Sequence, residues 1–383
     1  MTANILHSGL DGLKFTLQAQ VPEKLRAALA DAKHCAKRDN ADYILDCGSI
    51  KLNVTSTGAR GFTAHTGDHG AVWLLQDPED PIPNNPSITI DFRAFGLATG
   101  GLEAAETHFR TCMEAFAIPY ADHQLRVTRA DFAVDFLAPW FEPDRDALVA
   151  PPGTKVTEYA GMDETATIST GMRVQGLRAG AVSNRQLAIY DKRVEVIQTK
   201  KLGWLEIWNA RRTAHNEHLI DLKDRDASQV WRFELRLGSK QLRNKFQLRD
   251  WDDIRAMLGD AFTDAVKRVR YCTPTSDQNR ARWPEHELWR QFELVIGNDL
   301  TANRSGVLPS IVAEANRTAK MRELDTQLAG LLVTRAAISG VTAGEFAEFV
   351  DRHVEALRLH VNEHPQPLAE RLRKATARYR WTD

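Results

Sequence analysis

An α+β fold is predicted for the 383-residue chain by three observations. Strand-like runs recur between residues 13 and 237, helical periods are inserted among them, and from Asp250 onward helical periods take over. Strands with inserted helices imply an antiparallel or mixed sheet, followed here by a helical C-terminal region.

Taken in order, residues 13–17 alternate as a strand, and residues 22–38 carry the apolar spacing and the helix formers of an amphipathic helix. Residues 43–47, 50–54, 71–75 and 88–92 read as short strands parted by Gly, Asp, Asn and Pro clusters. Residues 102–116 form a helix candidate. Residues 124–137, QLRVTRADFAVDFL, set β-branched and aromatic side chains against charges in one long extended run. A connection rich in Pro, Gly and acids spans 139–165. Strands resume at 186–190 and 230–237, with helical potential at 194–208 between them, and helices follow at 251–269, 286–296, 311–337 and 343–364. Three segments result: 1–140 and 141–270, two α+β halves of one core, and 271–383, the helical end.

Composition narrows the class. The chain is 43% hydrophobic and 26% charged, as expected of a globular protein with ample core material. Its net charge of −1 announces no polyanionic partner, but the charge is uneven. Residues 1–120 carry 14 Asp and Glu against 10 Lys and Arg, whereas residues 183–245 carry 8 acids against 14 bases. The middle of the chain is therefore the part suited to phosphate. Cys35, Cys47, Cys112 and Cys272 are too scattered for a zinc knuckle or a redox pair. No apolar run reaches the roughly 18 residues of a membrane span, and a cytoplasmic protein without a membrane partner is expected.

Three short segments can carry chemistry. In Arg129-Ala-Asp-Phe-Ala-Val-Asp-Phe136, strand parity places Asp131 and Asp135 on one face and Phe132, Val134 and Phe136 on the other. Such a carboxylate pair suits a hard divalent cation, Mg²⁺ or Mn²⁺; the alternative is an acidic, water-facing strand. In Arg185-Gln-Leu-Ala-Ile-Tyr-Asp-Lys-Arg193, Tyr190 and Lys192 share parity, so a phenol and an ammonium are aimed at one point. A phenol, with a reference pKa of about 10, needs a nearby cation to act as a nucleophile; the alternative is a core ring. In Trp231-Arg-Phe-Glu-Leu-Arg-Leu237, Glu234 stands between Arg232 and Arg236, as a metal carboxylate beside phosphate clamps or as an exposed cross-strand charge pattern. Trp204 and Trp208 offer stacking surfaces for bases or, at i and i+4, a buried helix stripe.

The order RADFAVD, IYDKRVE, RFELRL resembles the replication initiation factor family of the Rep_trans type, which includes plasmid and phage rolling-circle initiators and related nicking relaxases. The segments HSGLDGLKFTL and GLRAGAVSNRQLAIYDK resemble the family's opening strand and its lead into the tyrosine, and the likeness runs from about residue 10 to about residue 270. The resemblance implies a nickase core in which Tyr190 attacks a scissile phosphate to leave a 5′-phosphotyrosine, with Lys192 stabilising charge. It implies Asp131, Asp135 and Glu234 as ligands of a divalent metal. It also implies origin DNA, single-stranded or hairpin at the nick, as substrate. Arg129, Arg185, Arg193, Arg232 and Arg236 are the DNA contacts expected around it, and Glu195 matches a trailing acid without an assigned role. A homodimer, a host helicase and a polymerase are the further partners expected. None of the 12 histidines forms a His-x-His pair, so a carboxylate metal site is expected instead of a histidine one. Two other uses of the same residues stay open: a relaxase of a conjugative or integrative element, and a non-catalytic DNA-binding regulator of replication.

Overall fold

A computed structural model describes residues 4–372 except 41, 59, 80, 81, 83, 84, 160–175, 200, 301–308 and 370. Part of the connection expected at 139–165 and the last residues of the helical end, from 373 onward, lie outside the described residues. Contacts divide the chain into a unit of Met1–Ser305 and a unit of Gly306–Asp383.

The first unit is built on an antiparallel sheet. Its first half runs β1 (Asn4–Leu17), α1 (Glu23–Asp39), β2 (Tyr43–Asp46), β3 (Lys51–Val54), β4 (Gly61–His65), β5 (Ala71–Gln76), β6 (Ile88–Phe92) and α2 (Ala94–Ala115), the last kinked at Gly101. The second half runs β7 (Leu125–Leu137), β8 (Leu148–Val149), β9 (Val156–Tyr159), β10 (Gly176–Gly180), β11 (Arg185–Asp191), α3 (Lys192–Thr199), α4 (Gly203–Ala214) and β12 (Val230–Gly238). A one-turn π-helix at Lys240–Lys245, α5 (Trp251–Val266), β13 (Arg270–Tyr271) and α6 (Glu287–Asp299) complete it. Eleven strands hydrogen-bond in the order β2-β3-β4-β5-β6-β1-β7-β12-β11-β10-β9, and β8 pairs with β13 apart from them.

The two halves repeat one plan. From β1 the chain crosses to the far edge and returns strand by strand to β6, which pairs with β1. From β7 it crosses to the opposite edge and returns to β12, which pairs with β7. The halves join where β1 lies antiparallel to β7. The strand bearing Asp131 and Asp135 thus opens the second half and stands at the middle of the sheet.

Alternation on the central strands decides which face is covered by what. Phe132, Val134, Phe136, Trp231, Phe233, Leu235 and Leu237 all point into one large core, where Phe132 meets Phe262 of α5 at 5.9 Å and Phe233 meets Phe292 of α6 at 6.0 Å. Each such buried side chain contributes roughly 1.5–3 kcal/mol. Asp250 caps α5 by accepting from the amides of Asp252 and Asp253, worth about 1 kcal/mol. The helical end was expected from residue 271. Yet Leu288, Trp289, Phe292 and Ile296 of α6 belong to the sheet's core, so the break falls after Ser305. The opposite face of the strands carries their polar residues and is covered by α3 and α4 through a smaller core of Leu6, Val196, Trp204, Trp208, Ile220 and Val230.

The second unit holds α7 (Pro309–Ile338) and α8 (Phe346–Asn362), with Leu328, Leu331, Val354 and Leu359 exposed. Among the described residues no helix is long and apolar enough to cross a membrane.

Candidate active site

Three ranks of side chains cross the polar face of β7, β12 and β11. Asp131, Arg236 and Gln186 stand in register; Ala133, Glu234 and Ala188 form the next rank; Asp135, Arg232 and Tyr190 form the third. The alanines flanking Glu234 keep the middle rank low. Tyr190 therefore leans diagonally across the ladder and donates its hydroxyl to Glu234 Oε2 at 3.1 Å.

Arg236 grips the same carboxylate with Nε on Oε1 at 2.7 Å and Nη2 on Oε2 at 3.1 Å, and its Nη1 reaches Gln186 at 3.1 Å. Arg129 holds Asp131 in the same forked way, at 2.9 and 2.6 Å. Burial and the facing Glu234 push the Asp131 carboxyl up to about 7 despite that arginine. Burial, reinforced by Glu234, also raises the Tyr190 phenol well above its ordinary value, so at rest it is a neutral donor. These side chains line a cleft of about 950 Å³ that reaches past α3 and α4 to the start of α2. On its inner wall Asp11, Asp131, Glu195 and Glu234 face Arg129, Arg178, Lys192 and Arg236. Over the whole lining eight acids stand against six lysines and arginines, so a phosphate gains no net attraction from it until a further cation arrives.

No family model and no curated protein matches the chain. Among solved structures it is similar to a rolling circle replication initiator protein from Geobacillus stearothermophilus, at 17% identity over 75% of this chain and 95% of that one, with a TM-score of 0.38.

Several expected site residues lie elsewhere. Asp135 was expected on a metal, but Arg232 closes on it with Nε at 2.6 Å and Nη2 at 2.8 Å while Trp208 Nε1 donates to it at 2.9 Å, and it has no exposed surface. Three donors already occupy it, and Arg232 holds its pKa below the ordinary value in spite of burial. Among the described residues no three His, Cys, Asp or Glu side chains converge as a metal site; of the three expected carboxylates, Asp131 and Glu234 line the cleft and Asp135 does not. Arg232, expected on DNA, is itself fully buried; its Nη1 meets Asp11 at 2.6 Å and its guanidinium lies 4.2 Å from the Trp204 ring. Arg193, also expected on DNA, turns inward to Ser228 Oγ at 2.8 Å and to the Leu222 carbonyl, pinning the loop before β12. Arg185 sits on the opposite face of β11 from Tyr190, near Asp264 and Arg268. Trp204 and Trp208 are core residues, 1% and 0% exposed, and offer bases nothing directly.

Lys192 does enter the cleft, 5.8 Å from the Tyr190 ring and 4.8 Å from that of Trp204. Glu195, one turn on in α3, neutralises it, which gives that trailing acid its place. Burial lowers the Lys192 pKa.

Three residues of the site escaped the sequence reading. A bulge between Leu10 and Gly12 ejects Asp11 from the β1–β7 ladder and aims it at Arg232, two strands away. Gly12 is required beside it, because a Cβ there would lie 2.5 Å from Asp131 Oδ2. Arg178, on β10 in register with Ala188, lines the cleft within the quoted run GLRAG. The glycines around Leu10-Asp11 were the available signal for the bulge.

Proposed function

We propose that the chain nicks and rejoins one DNA strand through a covalent tyrosine link, as an initiator of rolling-circle replication. The observation that carries this reading is the Tyr190 hydroxyl on a buried carboxylate at 3.1 Å, in the wall of a cleft that also presents Asp131 and two guanidiniums. The ordered motifs RADFAVD, IYDKRVE and RFELRL support it independently.

Tyr190 Oη attacks the scissile phosphorus. Its proton passes to Glu234, the acceptor already in contact; the bond to the 3′-oxygen breaks, that oxygen takes up a proton from solvent to become a 3′-hydroxyl, and the 5′-phosphate stays on the tyrosine. Arg236 and Arg129 hold the two carboxylates from behind, and Lys192 lends partial positive potential to the same space. Asp131 and Glu234 would hold a divalent cation. Two crowded carboxylates, one of them pushed up to about 7, fit Mg²⁺ or Mn²⁺, which take one or two carboxylate oxygens and leave other positions to water and phosphate. When bound, the cation supplies the positive charge that the acid-rich lining lacks.

A covalent-adduct assay tests this. The protein is incubated with Mg²⁺ or Mn²⁺ and single strands scanning a candidate origin, then resolved under denaturing conditions. An adduct in the wild type that disappears in Tyr190→Phe is the expected result. Cleavage without an adduct would replace the phenol by metal-activated water. Strand binding without any cleavage would favour the regulator, a reading to which the arginine forks on both carboxylates lend weight.

A further inference from the structure

The cleft extends well beyond the phenol, and a line of ring contacts marks its course. From Tyr190 it passes the Lys192 ammonium to Trp204. Phe95 stacks on Trp204 with centroids 5.3 Å apart at 29°, and His69 follows at 5.9 Å and 36° from Phe95. All five residues line the one cavity, as does Arg93, which precedes α2. Burial falls along this line. Tyr190 and Trp204 are buried, Phe95 is half-buried, and His69 and Arg93 are exposed.

We propose that Phe95 and His69 form a subsite for an unpaired nucleobase of the strand whose phosphate lies at Tyr190. The position of that phosphate rests on the nicking reading; the platform stands on its own geometry. An aromatic face that is anchored at one end and open at the other stacks any base, because every base has a π-face. In a duplex both faces of a base are already covered by its neighbours, so a single strand is the substrate this surface selects. Phe95 is held at close range by the start of α4: a Cβ on Gly203 would come within 2.9 Å of its ring. The platform therefore costs little ordering when a base arrives. Arg93, beside it, suits the adjoining phosphate.

The test uses the full chain carrying Tyr190→Phe, so that binding is read without cleavage. Anisotropy is measured for a labelled oligothymidine of about twelve nucleotides, a length within the usual span of single-strand sites, and for a strand of equal length with abasic positions. The parent binds the base-bearing strand more tightly. Phe95→Leu with His69→Ala weakens that strand about tenfold, as expected for loss of one stacked base, and leaves the abasic strand unchanged. His69→Ala alone, which removes only an exposed ring, loses part of the preference, and His69→Trp gains affinity with quenching of its emission. Equal binding of both strands by the parent, or an unchanged preference in the double variant and in His69→Ala, would overturn the subsite. Base-dependent binding in a protein whose wild type forms no adduct would sink the nicking reading and leave the subsite standing. An adduct without base-dependent binding would do the reverse.

Discussion

Two groups of charged side chains share one face of β7 and β12, one rank of the ladder apart, and differ in every physical respect. Asp135 and Arg232 are sealed: the carboxylate takes two guanidinium bonds and an indole bond, and the guanidinium passes on to Asp11. Asp131 and Glu234 are as deeply set, but they stand diagonally on adjacent strands in the lining of a cleft, where Glu234 meets the hydroxyl of Tyr190. In the first group Arg232 outweighs burial and the pKa of the acid falls; in the second, burial and the neighbouring Glu234 outweigh Arg129 and Arg236, and the pKa of Asp131 rises. What separates them is the roof. Trp204 and Trp208 of α4 close over the first and leave the second open. The sealed group is framework, and the open one is where the proposed cation would bind.

Breaking the sealed group has the largest effect. Arg232→Ala strands Asp135 without a counterion and is expected to cost about 3–5 kcal/mol in denaturant unfolding; a change below 1 kcal/mol would show that the pair is not structural. Glu234→Gln keeps the shape of the open group but removes the proton acceptor. Cleavage is expected to fall about 10²- to 10⁴-fold with stability little changed, and rate and melting curves together check it.

Acid titration sharpens the contrast, because the two groups respond with opposite signs. Asp131 in the folded chain stays protonated up to about 7, against 3.8 ordinarily. Between those values the folded state binds a proton that the unfolded state has released, so stability falls as pH rises through that window. Asp131→Asn should flatten that slope. Asp135, whose pKa is lowered, contributes stability that is complete above its ordinary value and lost as pH falls through its folded one. Denaturation across pH distinguishes the two; an unchanged slope in Asp131→Asn would contradict the crowding. The smallest effect is that of Mg²⁺, which at ten times its Kd should stabilise the wild type by about 1.4 kcal/mol and Asp131→Asn much less.

Much of this was legible from residue spacing. The two-residue period on β7, β11 and β12 identifies which side chains share a face, and β2, β3, β5, β6 and most helices follow from their turn residues, whereas β4, β8, β9 and β13 were not read as strands. Helix α2 begins earlier than expected because Gly96, Gly100 and Gly101 mask its first turns, and β1 is longer because its glycines and bulges break the alternation. Parity puts Asp131 and Asp135 on one face but is silent about what covers that face. Asp135 meets Arg232 across 97 residues and Trp208 across 73, and nothing local to RADFAVD reports such partners. Asp11, Phe95 and His69 were missed for the same reason: each acquires its role from the topology that joins the two halves of the sheet.

The central claim is that Tyr190 is the nucleophile, and the covalent adduct tests it most directly. Wild-type protein with Mg²⁺ and a cleavable single strand should yield one protein–DNA species whose mapped attachment site is Tyr190, and Tyr190→Phe should yield none. Adduct formation that survives Tyr190→Phe would contradict the account. The other tyrosines of the unit, Tyr43, Tyr159, Tyr271 bonded to the Asp144 amide at 2.7 Å and Tyr120 beside Arg110 at 3.2 Å, would then have to be searched for it.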